Sequence, residues 1–181
     1  LNVTPSAGAS ISWAVNPVSG SVTGASADSG SNIAQVLTGN GVVNYVINSS
    51  IGACSGTPVT VPVTVSPTPA ITATPSGQSI CSGTNTNIAL SSLPAGADFS
   101  WTVTPVSGSV TGATAGTGNN ISQALSGDGV VNYEITPVIG TCPGTPLVVP
   151  VTVNPTPVVT ATPATQFICS GNTTNISLAT I

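Results

Sequence analysis

The chain has 181 residues, of which only Asp28, Asp98, Asp128 and Glu134 are charged, and it contains no Lys, Arg, His or Met. Without cations it cannot neutralise phosphates, which excludes nucleic-acid binding and polybasic attraction to anionic lipid. No stretch approaches the roughly 20 apolar residues of a membrane span, so no membrane insertion is expected, and the 40% apolar content suffices for a core.

Self-similarity organises the rest. Trp13 and Trp101 are 88 residues apart, as are Tyr45 and Tyr133, Cys54 and Cys142, and Cys81 and Cys169. At that offset roughly 55 of the 84 positions from Ala7 to Leu90 match without insertion or deletion. A period of this length suits a sandwich domain and is too long for a solenoid unit. In chain order, residues 1–67 are expected to form a partial β-sandwich repeat whose first strand is missing. Residues 68–155 form a complete repeat and 156–181 the start of a third. The joints fall at Pro67-Thr68-Pro69 and Pro155-Thr156-Pro157, where neighbouring prolines stiffen the chain. Incomplete repeats on either side of a complete one point to a longer array.

Within the complete repeat, β-branched runs punctuated by Gly, Pro, Asn and Ser predict strands at 70–75, 87–92, 98–105, 109–113, 120–126, 130–138 and 146–153. That is about seven strands per repeat, as in an immunoglobulin-like sandwich. Thr38-Gly39-Asn40-Gly41 and Ser126-Gly127-Asp128-Gly129 read as hairpin turns, because Asn-Gly and Asp-Gly suit the positive-φ positions of a type I′ turn. Prolines and β-branched residues oppose any helix. The expected fold is all-β: tandem immunoglobulin-like β-sandwich domains.

Four aromatic residues recur and are assigned structural roles. Trp13 and Trp101 lie on alternating strands with Ile11 and Val15, and with Phe99 and Val103, on the same face. A core position is the better reading than a ligand-stacking platform. Tyr45 and Tyr133 are read as core residues whose hydroxyls bond back to the backbone at a corner. The acids fail an internal control. Asp28 aligns with Gly116, Asp98 with Ser10, Asp128 with Asn40 and Glu134 with Val46, so no carboxylate site repeats. A calcium site of six to eight oxygens is not expected. The many hydroxyls lack the His or Lys that would activate a nucleophile. No catalytic residue, metal or cofactor is expected, and the chain is not read as an enzyme.

Cys54, Cys81, Cys142 and Cys169 are the one chemically reactive feature that repeats. Their regular placement, with no CxxC spacing, fits disulfides and an oxidising, extracellular compartment. Three pairings are open. Cys81 with Cys142 lies within one repeat, but those positions fall at opposite ends of a sandwich, about 25–30 Å apart. Cys54 with Cys81, and Cys142 with Cys169, would span the joints. A third scheme joins each repeat's late cysteine to the early cysteine of the repeat before it.

Taken as a set, these motifs resemble a known family. They are Ile80-Cys81-Ser82-Gly83, Phe99-Ser100-Trp101-Thr102-Val103, Ile121-x-Gln123-x-Leu125, Val131-x-Tyr133-x-Ile135 and Cys142-x-Gly144-x-Pro146. The chain is similar through both periods to the PKD-like repeats of large, SprB-like gliding-motility surface adhesins of Bacteroidota. The acidic WDFGDG-type motif of ordinary PKD domains is absent, since Thr102 and Val103 follow Trp101. The resemblance implies structural stalk repeats of a cell-surface adhesin or filament, exported by type IX secretion and serving gliding or attachment. The alternatives are a self-assembling extracellular filament subunit and a carbohydrate-binding surface module. The partners expected are neighbouring repeats of the same chain, other copies in a filament, and surface glycans.

Overall fold

Alternation of apolar and small polar residues builds the first sheet. A computed structural model describes residues 8–180. Ser10–Thr23 and Thr38–Ile51 pair antiparallel, Trp13 opposite Ile47 and Val15 opposite Tyr45. Ile11 and Trp13 on one strand and Val43, Tyr45 and Ile47 on the other turn to a common buried face, while the residues between them point outward. Val59–Val65 pairs along the far side of Thr38–Ile51, with Val61 opposite Tyr45. The short strand Asp28–Ser29 borders Ser10–Thr23, and Cys54–Ser55 folds back on Ser50 and Ile51.

The second repeat carries the same sheet and adds a second layer. Its larger sheet runs Gly116–Thr117, Asp98–Thr111, Ala124–Ile139, Leu147–Asn154, Gln78–Cys81, and its smaller one Asn120–Ile121, Ile88–Leu93, Ala70–Thr74. Gln78–Cys81 joins parallel to Leu147–Asn154, with Val151 opposite Gln78 and Asn154 opposite Cys81. Tyr133, Ile135, Val149, Val151 and Val153 of the larger sheet, Leu125 near the start of its long strand, and Ile88 and Ile121 of the smaller sheet are all fully buried. The fold is an all-β, immunoglobulin-like sandwich.

Three sequence expectations change. Thr38–Gly41 and Ser126–Gly129 are not hairpin turns but the opening residues of long strands. Gly41, at φ +146°, lies opposite Gly20, and a Cβ on it would sit 2.1 Å from the Ser19 carbonyl oxygen. These glycines let two backbones cross closely beside a register shift between Pro17 and Ser19. For the same reason the strands expected at 98–105 and 109–113 are one, Asp98–Thr111. Gln78–Cys81, too short to alternate, was not expected as a strand at all, and its parallel pairing depends on a distant partner.

Beyond the second proline joint, Val159–Thr162 pairs antiparallel with Ser177–Thr180, and both strands are exposed throughout. The chain divides into two compact units. One comprises Leu1–Ile71, Ser92–Asp98 and Pro137–Thr145; the other comprises Thr72–Ser91, Phe99–Thr136 and Pro146–Ile181. Pro69 and the segment around Cys142 therefore belong to the same unit.

Candidate functional site

The most organised polar chemistry is a clamp that occurs twice. In the first repeat the Trp13 indole N–H donates to the Ser26 carbonyl at 3.1 Å. Gln35 holds the same residue: its Nε2 donates to the Ser26 carbonyl at 2.8 Å, and its Oε1 accepts from the Ser26 N–H at 3.0 Å. The Tyr45 hydroxyl donates to that same Oε1 at 2.8 Å. The second repeat reproduces every bond. Trp101 donates to the Thr114 carbonyl at 3.1 Å, Gln123 brackets Thr114 at 2.8 and 3.0 Å, and Tyr133 donates to Gln123 at 2.8 Å. The tyrosine hydroxyls thus bond a glutamine side chain and not the backbone, because the crossing loop brings that amide closer.

The clamp ties the loop after the long strand down onto the sheet. Both tryptophans are 6% exposed, which leaves no ring face for a ligand to stack on. Desolvation raises the pKa of Tyr45 above its usual value and that of Tyr133 to about 12. Because the folded value exceeds the unfolded one near 10, this contribution to stability is intact below about pH 10 and lost as pH rises towards about 12. Melting temperatures followed by circular dichroism should be flat below that window with respect to these groups and should fall through it. Tyr133→Phe should flatten the fall.

Thr86 is the buried polar residue of the second layer. Its hydroxyl donates to the Ile121 carbonyl at 3.0 Å and accepts from the Gln123 N–H at 2.9 Å, so it ties the residues ahead of Ile88–Leu93 to residues 121–123 beside the clamp. Thr86→Val keeps the volume but leaves a buried N–H and a carbonyl unpaired, and should cost about 1–3 kcal/mol in urea unfolding. Thr86→Ser, which keeps the hydroxyl, should cost less.

Sequence reasoning missed Thr86 and the role of the two glutamines. A signal for the glutamines was present: Gln35 and Gln123 recur at the repeat spacing, flanked by Ile33 and Leu37 or by Ile121 and Leu125.

The acids are scattered. Asp28, Asp98, Asp128 and Glu134 are all exposed, and Asp28 accepts from the adjacent Ser29 N–H at 2.8 Å. Among the described residues no three acidic, Cys or His side chains gather as a metal site would require.

The expected disulfides are not formed within this chain: Cys54, Cys81, Cys142 and Cys169 are free thiols. For Cys81 with Cys142 the strand register gives the reason. Cys81 lies opposite Asn154, whereas Cys142 lies opposite Ile139, four residues beyond the pairing of Ile135 with Leu147. The two thiols are separated by about eleven residues of sheet, on the order of 35 Å at strand rise, against less than ~7 Å between bonded Cα atoms.

Residues 78–157 match the family model of the PKD-like domain. No curated protein matches the chain. The match covers both layers of the second repeat except its first strand. The PKD-like domain is a non-catalytic structural fold of the extracellular, adhesion type.

Proposed function

We propose that the chain is a run of structural stalk repeats from a large extracellular cell-surface adhesin or filament, serving gliding motility or attachment after type IX secretion. The observation that carries this reading is the contrast between inside and outside. The half-buried Trp–Gln–Tyr clamp is reproduced bond for bond across 88 residues, while the acids change at every aligned position. A repeat whose clamp persists while its surface charges change sets length and stiffness. Proline joints at 67–69 and 155–157 bound the repeats as domains and limit bending.

Antibody raised against the chain should label intact, unpermeabilised cells and arrest their movement across a surface. Labelling that requires permeabilisation overturns the extracellular reading. Unimpaired gliding with saturated labelling overturns the motility role alone.

The cysteines support a covalent version of the stalk. Ser66 aligns with Asn154, the residue opposite Cys81, and its hydroxyl lies 3.2 Å from where a Cβ on Gly140 would be. Gly140 is two residues from Cys142. The early cysteine of a preceding repeat would therefore stand beside Cys142, favouring the scheme that staples consecutive repeats. Peptic mapping of the non-reduced surface protein should yield bonds between neighbouring repeats, and bonds confined within repeats would sink the staple.

A further inference from the structure

A strand from the start of the second repeat and the strand that ends it lie side by side and run the same way. Gln78–Cys81 pairs parallel to Leu147–Asn154, with Gln78 opposite Val151, Ser79 opposite Thr152, Ile80 opposite Val153 and Cys81 opposite Asn154. The chain enters this repeat from Pro67-Thr68-Pro69 and leaves it through Pro155-Thr156-Pro157. Tension along the chain therefore pulls Gln78–Cys81 by its N-terminal end and Leu147–Asn154 by its C-terminal end. Because the strands are parallel, the two pulls oppose each other along the strand axis. The strands can part only by sliding, which loads every bond of the ladder at once. An antiparallel pair pulled by the same two ends would open one bond at a time.

The surroundings keep the load on that pairing. Leu147–Asn154 is an interior strand, held on its other side to Ala124–Ile139 from Gly129 opposite Val153 to Ile135 opposite Leu147. Gln78–Cys81 is the edge strand, so its release from Leu147–Asn154 is the step that frees the start of the repeat. Just beyond Cys81 the chain is anchored. The Ser82 N–H donates to the Asn154 carbonyl and the Gly83 N–H to the Leu125 carbonyl, both at 2.8 Å, and the Ser82 hydroxyl accepts from the Gly127 N–H at 3.0 Å. The pulled end of the last strand carries an extra tie across the pair. Asn154 Nδ2 donates to the Ser79 hydroxyl at 2.8 Å and to the Ile80 carbonyl at 3.4 Å. Pro155 follows and has no N–H, so tension is delivered directly to this last rung.

We propose that the parallel pairing of Gln78–Cys81 with Leu147–Asn154, locked by the Asn154 side chain, is a mechanical clamp that keeps the second repeat folded when the chain is stretched. Forced unfolding follows the rate of unfolding and not the equilibrium stability. Contacts that must break before the strands slide set the force, whereas contacts that outlast that step change the equilibrium alone. The clamp deepens the stalk reading, since a stalk works under tension, but the two fail separately. A force measurement reads the resistance of the repeat itself, and labelling of intact cells reads where the chain is displayed.

The whole chain, held by its two ends in a single-molecule force experiment with reductant present, should resist until one abrupt release of residues 78–154, on the order of 250 Å of chain. Handles moved to Ser76→Cys and Thr145→Cys, with the native cysteines replaced by serine, pull the same two strands apart from a common end. That peak should be less than half the end-to-end one, because one rung is loaded at a time. Asn154→Ala should lower the end-to-end peak yet leave the urea midpoint of the second repeat nearly unchanged, since Asn154 is exposed. Phe99→Leu, at a buried position two strands away from Leu147–Asn154, should do the reverse. Equal peaks in the two pulling directions overturn the proposal. So does an end-to-end peak that Phe99→Leu lowers and Asn154→Ala leaves intact.

Discussion

Leu125→Ala is expected to destabilise the second repeat by about 2–5 kcal/mol, and Leu37→Ala at the aligned position to cost the first repeat less than half as much. Both leucines follow the clamp glutamine by two residues and face the same sheet. Leu125 is fully buried between two layers, so its removal forfeits transfer energy and leaves a void that the surrounding sheets cannot close. Leu37 is only partly buried and lines an open pocket of about 160 Å³ with Ile33, Tyr45, Val61 and Val63, so its truncation takes away less buried apolar surface. Each repeat has its own tryptophan, which makes the comparison measurable. With Trp13→Phe as background, Trp101 fluorescence reports urea unfolding of the second repeat, and the reciprocal variant reports the first. Equal losses at the two leucines would mean that the first repeat is as fully enclosed as the second.

That asymmetry also explains which features could be read from the sequence. The all-β class and the inward face of Phe99, Trp101 and Val103 follow from period-2 alternation, a local property. So do the strands near 70–75, 87–92 and 146–153. Features that depend on partners distant in the chain were not legible. Gln78–Cys81 becomes a strand because Val151–Asn154 lies beside it, some 73 residues later, and four residues of mixed character carry no periodic signal of their own. The glycine pairs misled for a related reason. Gly39 and Gly41 have the positive φ that a hairpin turn demands, but they use it to cross Ser19–Val22 closely within a ribbon. Local composition reports the dihedral angle and not its purpose.

The polar clamp shows a different gap. The internal comparison that dismissed the acids would have nominated Gln35 and Gln123 had it been applied to polar residues that persist as well as to those that vary. Their partners, Ser26 and Thr114, differ in identity yet both keep a hydroxyl that accepts from the glutamine Nε2, at 2.9 and 3.1 Å. For the cysteines, spacing fixed a recurring role but not a partner. Strand register sets Cys81 and Cys142 about eleven residues of sheet apart and so excludes their pairing within the repeat.

Gly144→Ala should be among the most disruptive single-methyl changes in the chain, whereas Gly56→Ala at the aligned position should be mild. Gly144 donates its N–H to the Pro137 carbonyl at 2.8 Å, closing the turn that carries Cys142. A Cβ there would meet the Pro69 carbonyl oxygen at 2.0 Å and the Pro137 ring at 2.9 Å. Neither neighbour can yield, since one is backbone and the other a proline ring, and Pro69 is itself fully buried. The clash requires the opening of the second repeat to move, and should cost the upper end of the roughly 1–3 kcal/mol typical of overpacking, or more. At Gly56 the nearest atom is the Ser49 hydroxyl, at 2.4 Å, on a side chain that can change rotamer. The first repeat has serine where the second has Pro137, so the ring contact is replaced by a side chain that can turn away. Urea unfolding of both variants, read through Trp101 for Gly144→Ala and Trp13 for Gly56→Ala, should therefore separate them clearly. If Gly144→Ala proved as mild as Gly56→Ala, the peptide at Pro69 would not be clamped against the Cys142 turn. The joint would then be free to bend, and a stiff stalk could not be built from these repeats without the staple.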